Sequence, residues 1–402
     1  MKKHTLGALY TLHRSKIGWL LAALVVFYGL FLFRISSVVP EYASAEIETL
    51  HASSSLTAIW QNPVDAPYKL LVWLPYKWVS ESALIPRIAS GVFGMATICL
   101  FFLLLKQRYS KRQAVLGTAI FALSSLFLYA SRFGAPYILQ TCILIPFLLP
   151  LLWYSPRIPR NVITYIMIFV CVACLYVPGV LWLAIIAIIV YRKHLLIVTR
   201  SMQNKHLAIS GLLAVALLAP LVWACIQNLD ILKELLGFGT TLPAPQEYAR
   251  ELYSNLRALV YESSSHPELS LIGGPLLSAI DVVFAIFGAY HLWKKPRLAS
   301  TYYVSGLLVL SLLLASLGGS VQLIMAAPLI YYFVAAGIYY LLNEWLRIFP
   351  KNPIAKKFAV CMIVLLVSIS CLFHVRSYFV AWAHNDDTHA VFVEPQPAPN
   401  KN

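Results

Sequence analysis

Runs of about 20 apolar residues, separated by short polar loops, recur along the whole chain, and that rhythm predicts helices rather than strands. A run of that length crosses a hydrocarbon core roughly 30 Å thick. Hydropathy places eleven spans near 17–36, 87–105, 113–130, 137–154, 162–177, 179–191, 207–226, 273–293, 301–318, 320–342 and 357–375. The fifth and sixth are short and share the hinge Val177-Pro178-Gly179, where proline removes a helical hydrogen bond. Between the first two spans, Glu41 to Trp60 carries Tyr42, Ala45, Ile47, Leu50, Leu56 and Ile59 among Glu46, Glu48, His51 and serines. That spacing predicts a helix lying at a membrane interface. Asn62-Pro63 breaks it, and a second amphipathic piece follows from Ala66 to Trp78, with Tyr68, Trp73, Tyr76 and Trp78 set for headgroup depth. Pro245 to Tyr261 predicts another amphipathic helix, in which Tyr248, Leu252, Leu256 and Val260 recur at every fourth residue.

The expected fold class is all-α: a polytopic integral membrane protein of about eleven transmembrane helices, with interfacial helices in its first external loop. Composition points the same way, because 402 residues that are 60% hydrophobic and 12% charged, with mean hydropathy +0.75, cannot clothe a soluble surface. The net charge of +15 does not indicate nucleic acid, since bases and aromatics do not gather on one soluble face. It sorts by side of the membrane instead. With the N-terminus cytoplasmic, 21 of the 31 Lys and Arg residues fall inside and 14 of the 16 carboxylates outside. Eleven spans then leave the C-terminus extracytoplasmic, in a cell membrane, whereas merging spans five and six would put Lys294, Lys295 and Arg297 outside.

Ala43-Ser44-Ala45 has the form of a signal-peptidase site, but it lies about ten residues past a long apolar stretch, which favours an uncleaved anchor. The seven cysteines all fall in spans and predict no disulfide framework. The chain divides into a transmembrane module over 1–230 containing external loop 37–86, an external loop over 231–272, C-terminal helices over 273–375, and an external tail over 376–402. The tail's Glu394-Pro-Gln-Pro-Ala-Pro-Asn run reads as disordered.

One span, an acidic residue just beyond it, an interfacial helix, the segment Asn62-Pro63-Val64-Asp65-Ala66-Pro67-Tyr68, and then Pro86-Arg87-Ile88-Ala89-Ser90 opening the second span follow one another in order. Leu128-Tyr129-Ala130-Ser131-Arg132-Phe133 adds a Tyr-x-x-Arg pattern at the end of the third span. This ensemble, over roughly residues 15–230, resembles the GT-C superfamily of membrane glycosyltransferases. Within it, the pattern is most similar to the branch holding protein O-mannosyltransferases and the lipid A aminoarabinose transferase. The resemblance implies a sugar moved from a polyprenyl-phosphate donor to an extracytoplasmic hydroxyl of a glycan, lipid or protein, with a carboxylate as general base. That branch opens its first external loop with Asp-Glu, where this chain has Pro40-Glu41.

A lipid-linked donor fits the absence of a Gly-rich phosphate cradle, because Gly237-Phe-Gly is a lone turn motif. Its phosphate needs fixed cations. Arg34, Lys69, Lys77, Arg87 and Arg132 fall on the external side in the first third of the chain, against the prevailing bias. The planar fork of Arg87 and Arg132 suits phosphate oxygens, while Lys69 and Lys77 also suit snorkelling to headgroups. For the general base, Glu41 is the first candidate and Glu46 the second, although a charge favoured at a helix N-terminus accounts for Glu41 equally well. Asp281, the one carboxylate placed within a span, is a substrate-site candidate or a hydrogen-bonding group between helices.

No metal or other cofactor is expected, since His384, Asp386, Asp387 and His389 of the tail are more simply hydrated. The expected partners are membrane lipid, the polyprenyl-phosphate sugar and its acceptor, with no nucleic acid. Two other classes stay open. One is a transporter or flippase of a lipid-linked substrate, which a single intramembrane Asp and the lack of an internal repeat disfavour. The other is an inactive transferase-like scaffold, which Pro40 would allow.

Overall fold

The computed structural model of the chain describes residues 42–76, 84–144, 160–201, 203–238, 243–263, 274–294, 299–318, 322–385 and 392–393, together with Gly29. The first expected span, 17–36, lies outside the described residues apart from Gly29. The order begins with strand β1 (Tyr42–Ala43) and helices α1 (Ser44–Ala52), α2 (Leu56–Gln61), α3 (Ala66–Tyr76), α4 (Leu84–Arg108), α5 (Lys111–Ala122) and α6 (Ser125–Arg132). A 3₁₀ helix (Pro136–Leu144) precedes α7 (Arg160–Cys174), α8 (Val180–Ser201), α9 (Asn204–Gln227), α10 (Leu229–Leu235) and α11 (Pro245–Val260). Helices α12 (Ala279–Lys294), α13 (Ala299–Gly318), α14 (Leu323–Ile348) and α15 (Pro353–Arg376) follow, then a π-helical turn (Ser377–Ala381), a 3₁₀ turn (Trp382–His384) and strand β2 (Phe392–Val393).

Among the described residues, five helices are long and apolar enough to cross a membrane, and a sixth span results if α5 and α6 count as one. That pair is bent by 65°. The break falls at Leu123-Ser124, where Ser124 Oγ donates to the Phe121 carbonyl (2.7 Å) and competes with the helical ladder. The expected single span over 113–130 is thus two helices at an angle. Helix α7 ends and α8 begins at the anticipated hinge, where Gly179 has φ +77°, a conformation that costs glycine little.

The interfacial helix expected over 41–60 is also two helices. Ser53 Oγ donates to the Thr49 carbonyl (2.7 Å), ending α1, and Ser55 Oγ accepts the Ala58 N–H (3.1 Å), capping α2. Residues 377–384 continue helically beyond α15, and β2 pairs antiparallel with β1, Tyr42 opposite Val393 and Ala43 opposite Phe392. The tail expected over 376–402 is therefore structured at these positions, and its Glu394-to-Asn400 run lies outside the described residues.

Helix α14 lies at the centre, buried continuously from Leu323 to Ile338. Its closest neighbour is α12. A Cβ built on Gly288 would stand 1.8 Å from the Phe333 carbonyl oxygen, and one on Gly337 would stand 1.9 Å from that of Phe284. Only glycine at both positions lets the two backbones meet, the small-residue contact by which membrane helices associate where water supplies no hydrophobic drive.

Candidate functional site

Glu46 is the third residue of α1, and the sequence puts it where a carboxylate can reach back to the N-cap: the Ala43 N–H donates to its Oε2 (3.3 Å). Arg87 rises from the first turn of α4 and grips the same carboxylate at both oxygens, Nε to Oε1 at 2.8 Å and Nη2 to Oε2 at 2.7 Å. The Gly134 N–H donates to Oε1 at 2.7 Å. Glu46 is fully buried and the Arg87 side chain is 6% exposed. Four donors occupy the four acceptor positions a carboxylate offers, an arrangement that suits anchoring of α1 rather than proton transfer.

Arg87 also faces the Tyr42 ring, with Cζ 5.1 Å from its centroid. Arg132 ends α6 and is buried. Its guanidinium carbon lies 5.6 Å from the ring centroid of Tyr378 and 5.0 Å from that of Phe379, and its Nε donates to the Tyr378 hydroxyl (3.3 Å). Three residues nominated from the sequence, Glu46, Arg87 and Arg132, therefore converge on one buried polar knot. Tyr378 stands in the electrostatic reach of both arginines and of Glu46.

Beside this knot is an apolar cavity of about 810 Å³, within the usual range of ligand pockets. Its walls come from α2, α3, α4, the 3₁₀ helix, α7 and α9, among them Ile59, Phe93, Leu139, Val172, Leu217 and Pro220. The hydroxyls of its two threonines, Thr97 and Thr141, bond to one another (2.7 Å), so the lining stays greasy. None of the nominated charged residues that the structure describes lines it. Tyr68 divides cavity from knot: its ring stacks on Phe93 at 5.9 Å, and its hydroxyl donates to the Pro86 carbonyl (2.6 Å). That hydroxyl also lies 2.7 Å from Ser90 Oγ, which donates to the Phe133 carbonyl (2.6 Å).

Lys69 shares α3 with the lining residues Ala66, Pro67 and Leu70, is buried, and donates to the Asn62 carbonyl (2.9 Å). Burial holds its ammonium below the usual lysine range, with Asp65, Glu234 and Glu48 pulling the other way. Asp65 sits at φ 56°, just before α3, and its Oδ1 is buried with no hydrogen-bond partner among the described residues. Burial pushes its carboxyl up to about 8, against the attraction of Lys69 and with help from Glu234. Glu234 of α10 is raised too, chiefly by burial.

Neither Asp65 nor Glu234 stands out as a site residue in the sequence. Only the folded contact between loop and α10 makes the cluster. Glu41 and Lys77 lie outside the described residues.

Asp281, nominated for substrate binding, is buried away from this cavity. Its carboxylate accepts the Ser278 N–H (3.1 Å) and the Ser370 hydroxyl (2.7 Å), and meets His374 Nε2 (2.6 Å) and the Tyr331 hydroxyl (3.3 Å). Ser278 Oγ accepts the Asp281 N–H in return (3.1 Å), closing a capping box at the start of α12. The Ser-x-x-Asp spacing was the available signal for this role. Among the described residues no group of three His, Cys, Asp or Glu gathers closely enough to hold a metal ion. His384 is exposed and engages the Val380 carbonyl (2.8 Å), while Asp386, Asp387 and His389 lie outside the described residues.

These elements define an all-α, multi-pass membrane protein. Among solved structures it is similar to ArnT from Cupriavidus metallidurans in the apo state, with TM-score 0.53 and 11% identity over 94% of this chain and 77% of that one. It is likewise similar to the same ArnT bound to undecaprenyl phosphate, with TM-score 0.54 and 12% identity over 92% and 76%. No protein-family model and no curated protein matches the sequence.

Proposed function

We propose that the chain is a GT-C-type glycosyltransferase that moves a hexose or pentose from a polyprenyl-phosphate donor to a hydroxyl of a glycan, lipid or protein. The observation that carries this reading is the 810 Å³ apolar cavity flanked by buried ionisable groups. A polyprenyl chain is the ligand chemistry such walls accept, and a likeness to ArnT bound to undecaprenyl phosphate agrees with it. The chain would cross the membrane eleven times, N-terminus cytoplasmic and C-terminus extracytoplasmic, with α1–α3, α10 and α11 on the extracytoplasmic side.

In this reading the lipid tail occupies the cavity. Lys69, on the cavity-lining helix, and Arg132, framed by two aromatic rings, are the cations offered to the donor phosphate, with Lys77 nearby in sequence. Arg87 belongs to the Glu46 anchor. Attack at the anomeric carbon requires a carboxylate to take the acceptor's proton. Glu41 is assigned that role from its place in the sequence, and Asp65 is the second carboxylate the geometry adds, because its free oxygen and its ionisation near neutrality suit a base. No step in this scheme requires a metal ion.

The test is sugar transfer by the purified protein in nanodiscs, supplied with polyprenyl-phosphate sugars and radiolabelled acceptor lipids or glycans. Transfer is expected, and Ala96→Trp, which fills the cavity from α4, should abolish undecaprenyl phosphate binding by native mass spectrometry. Glu41→Gln and Asp65→Asn assign the base by which of them loses kcat. Movement of lipid-linked sugar across the bilayer without transfer would instead make the protein a flippase.

A further inference from the structure

Helix α15 is held along one narrow stripe: Ala359, Ile363, Val367, Ser370 and His374 are its buried residues. The first three are aliphatic. Apolar contacts fix helix register weakly in a membrane, since lipid tails solvate the same side chains. The polar pair at the end of the stripe is different. His374 Nε2 lies 2.6 Å from Asp281 Oδ2, and Ser370 Oγ donates to Asp281 Oδ1 at 2.7 Å, so both oxygens of a carboxylate capping α12 are bound to α15. His374 Nδ1 lies 3.2 Å from Ser125 Oγ at the start of α6, and its Nε2 lies 3.0 Å from the Tyr331 hydroxyl of α14. Asp281 and His374 are both fully buried. One imidazole thus joins four helices.

Four residues further along the same stripe stands Tyr378, and four beyond it Trp382, both buried. Steps of four drift around a helix of 3.6 residues per turn, and the wider π turn over Ser377–Ala381 takes up that drift. Tyr378 and Trp382 consequently stack at 5.1 Å, with Tyr378 and Phe379 set over the Arg132 guanidinium. Arg132 is at the far end of the helix whose first residue, Ser125, meets His374. Both partners of the arginine–aromatic contact therefore hang from the same imidazole.

We infer that Asp281 and His374 are positioning residues of the transferase site: through α15 and α6 they set where Tyr378 and Phe379 hold the Arg132 guanidinium. This rests on the reading of Arg132 as a cation for the donor phosphate. The pair touches neither cavity nor phosphate. A misplacement of about 1 Å in a charged site can cost up to ~100-fold in rate, so a pair that fixes register to well under that distance controls donor capture without contacting it.

Two readouts test this on the full-length protein in nanodiscs. Hydrogen exchange is measured by peptide in wild type, His374→Leu and His374→Gln, and steady-state transfer is measured with donor and acceptor varied separately. His374→Leu keeps roughly the volume and loses all three polar contacts, to Asp281, Tyr331 and Ser125. It is expected to speed exchange in peptides covering 125–133 and 376–384, leave that over 353–365 unchanged, and raise the donor KM about tenfold with the acceptor KM unmoved. His374→Gln, whose amide can still donate to Asp281, is expected to recover most of the donor KM. The inference is overturned if exchange over 376–384 stays at the wild-type level in His374→Leu, or rises equally along all of α15. It is also overturned if donor KM is unchanged while exchange rises as expected. If wild type transfers no sugar, the transferase reading falls, and the exchange measurements still decide whether the pair positions Tyr378 and Arg132.

Discussion

Replacing Arg87 by Leu is the most direct measure of what the polar knot contributes. Glu46 and Arg87 are 0% and 6% exposed in their side chains, and two of the four donors on the Glu46 carboxylate come from Arg87. Removing them leaves a buried carboxylate with only the Gly134 and Ala43 amides. Stripping one partner from a buried ion pair costs about 3–5 kcal/mol, whereas neutral hydrogen bonds between membrane helices average only ~0.6 kcal/mol. The expected loss for Arg87→Leu is in the higher range. The double variant Glu46→Leu/Arg87→Leu buries no charge and leaves only two backbone donors unpartnered, at about 1–3 kcal/mol each, so its loss should fall well short of the sum of the two single variants. Reversible unfolding in mixed micelles, followed by circular dichroism over the four members of a double-mutant cycle, supplies the comparison. A loss under about 1 kcal/mol for Arg87→Leu, or a double variant equal to the sum of the singles, would refute the account of Glu46 as a charge held by Arg87.

Gly134→Ala places a Cβ 2.7 Å from Glu46 Oε1, 3.2 Å from Pro86 Cβ and 3.3 Å from Arg87 Cγ; crowding of a packed site costs about 1–3 kcal/mol, read as a lower midpoint in the same unfolding assay. Gly288→Ala and Gly337→Ala each drive a methyl into the facing backbone and should leave little folded protein by size-exclusion chromatography, whereas Gly306→Ala, in open space, should behave as wild type. Asp65 is raised from 3.8 to about 8, so the folded protein binds more protons there than the unfolded chain between those values. Its contribution to stability is complete below about pH 4 and lost as pH rises through 8, and Asp65→Asn should flatten the fall in unfolding midpoint over that window; parallel profiles for variant and wild type would show that Asp65 is not buried as described.

Much of the architecture was legible because it is local. Mean hydropathy marks a span without knowledge of its neighbours, and proline with glycine at 178–179 marks a hinge wherever the helices go. Short-range polar competition was harder to weigh: Ser124 bends a span of good hydropathy, and Ser53 and Ser55 divide an amphipathic run. The polar knot was partly legible, since Glu46, Arg87 and Arg132 stand out as charges on an otherwise apolar background. Their arrangement was not, because Gly134 meets Glu46 from 88 residues away and Tyr378 meets Arg132 from 246. His374 gave no signal at all: its meaning depends on an aspartate 93 residues earlier on another helix.

The cavity and the knot share a helix, and that sharing gives the arrangement its chemistry. On α4, Arg87 and Ser90 precede Phe93, Thr97 and Leu100 at steps of three and four, so one face of one helix passes from charged to hydroxylic to apolar. Thirteen residues separate Arg87 from Leu100, roughly 20 Å of helix, a depth suited to a molecule with a polar head and a hydrocarbon tail. Tyr68 stands at the changeover, ring on Phe93 and hydroxyl between Pro86 and Ser90. Phe93 faces the cavity, and the fully buried Tyr68 ring stacks behind it. The ring's hydroxyl is bonded to the carbonyl of the residue before Arg87, so one side chain ties the cavity wall to the charged side. A soluble binding site would need no such partition, because water would screen the knot; in lipid, the Tyr68 wall keeps the Glu46–Arg87 charges among their donors and apart from the apolar cavity.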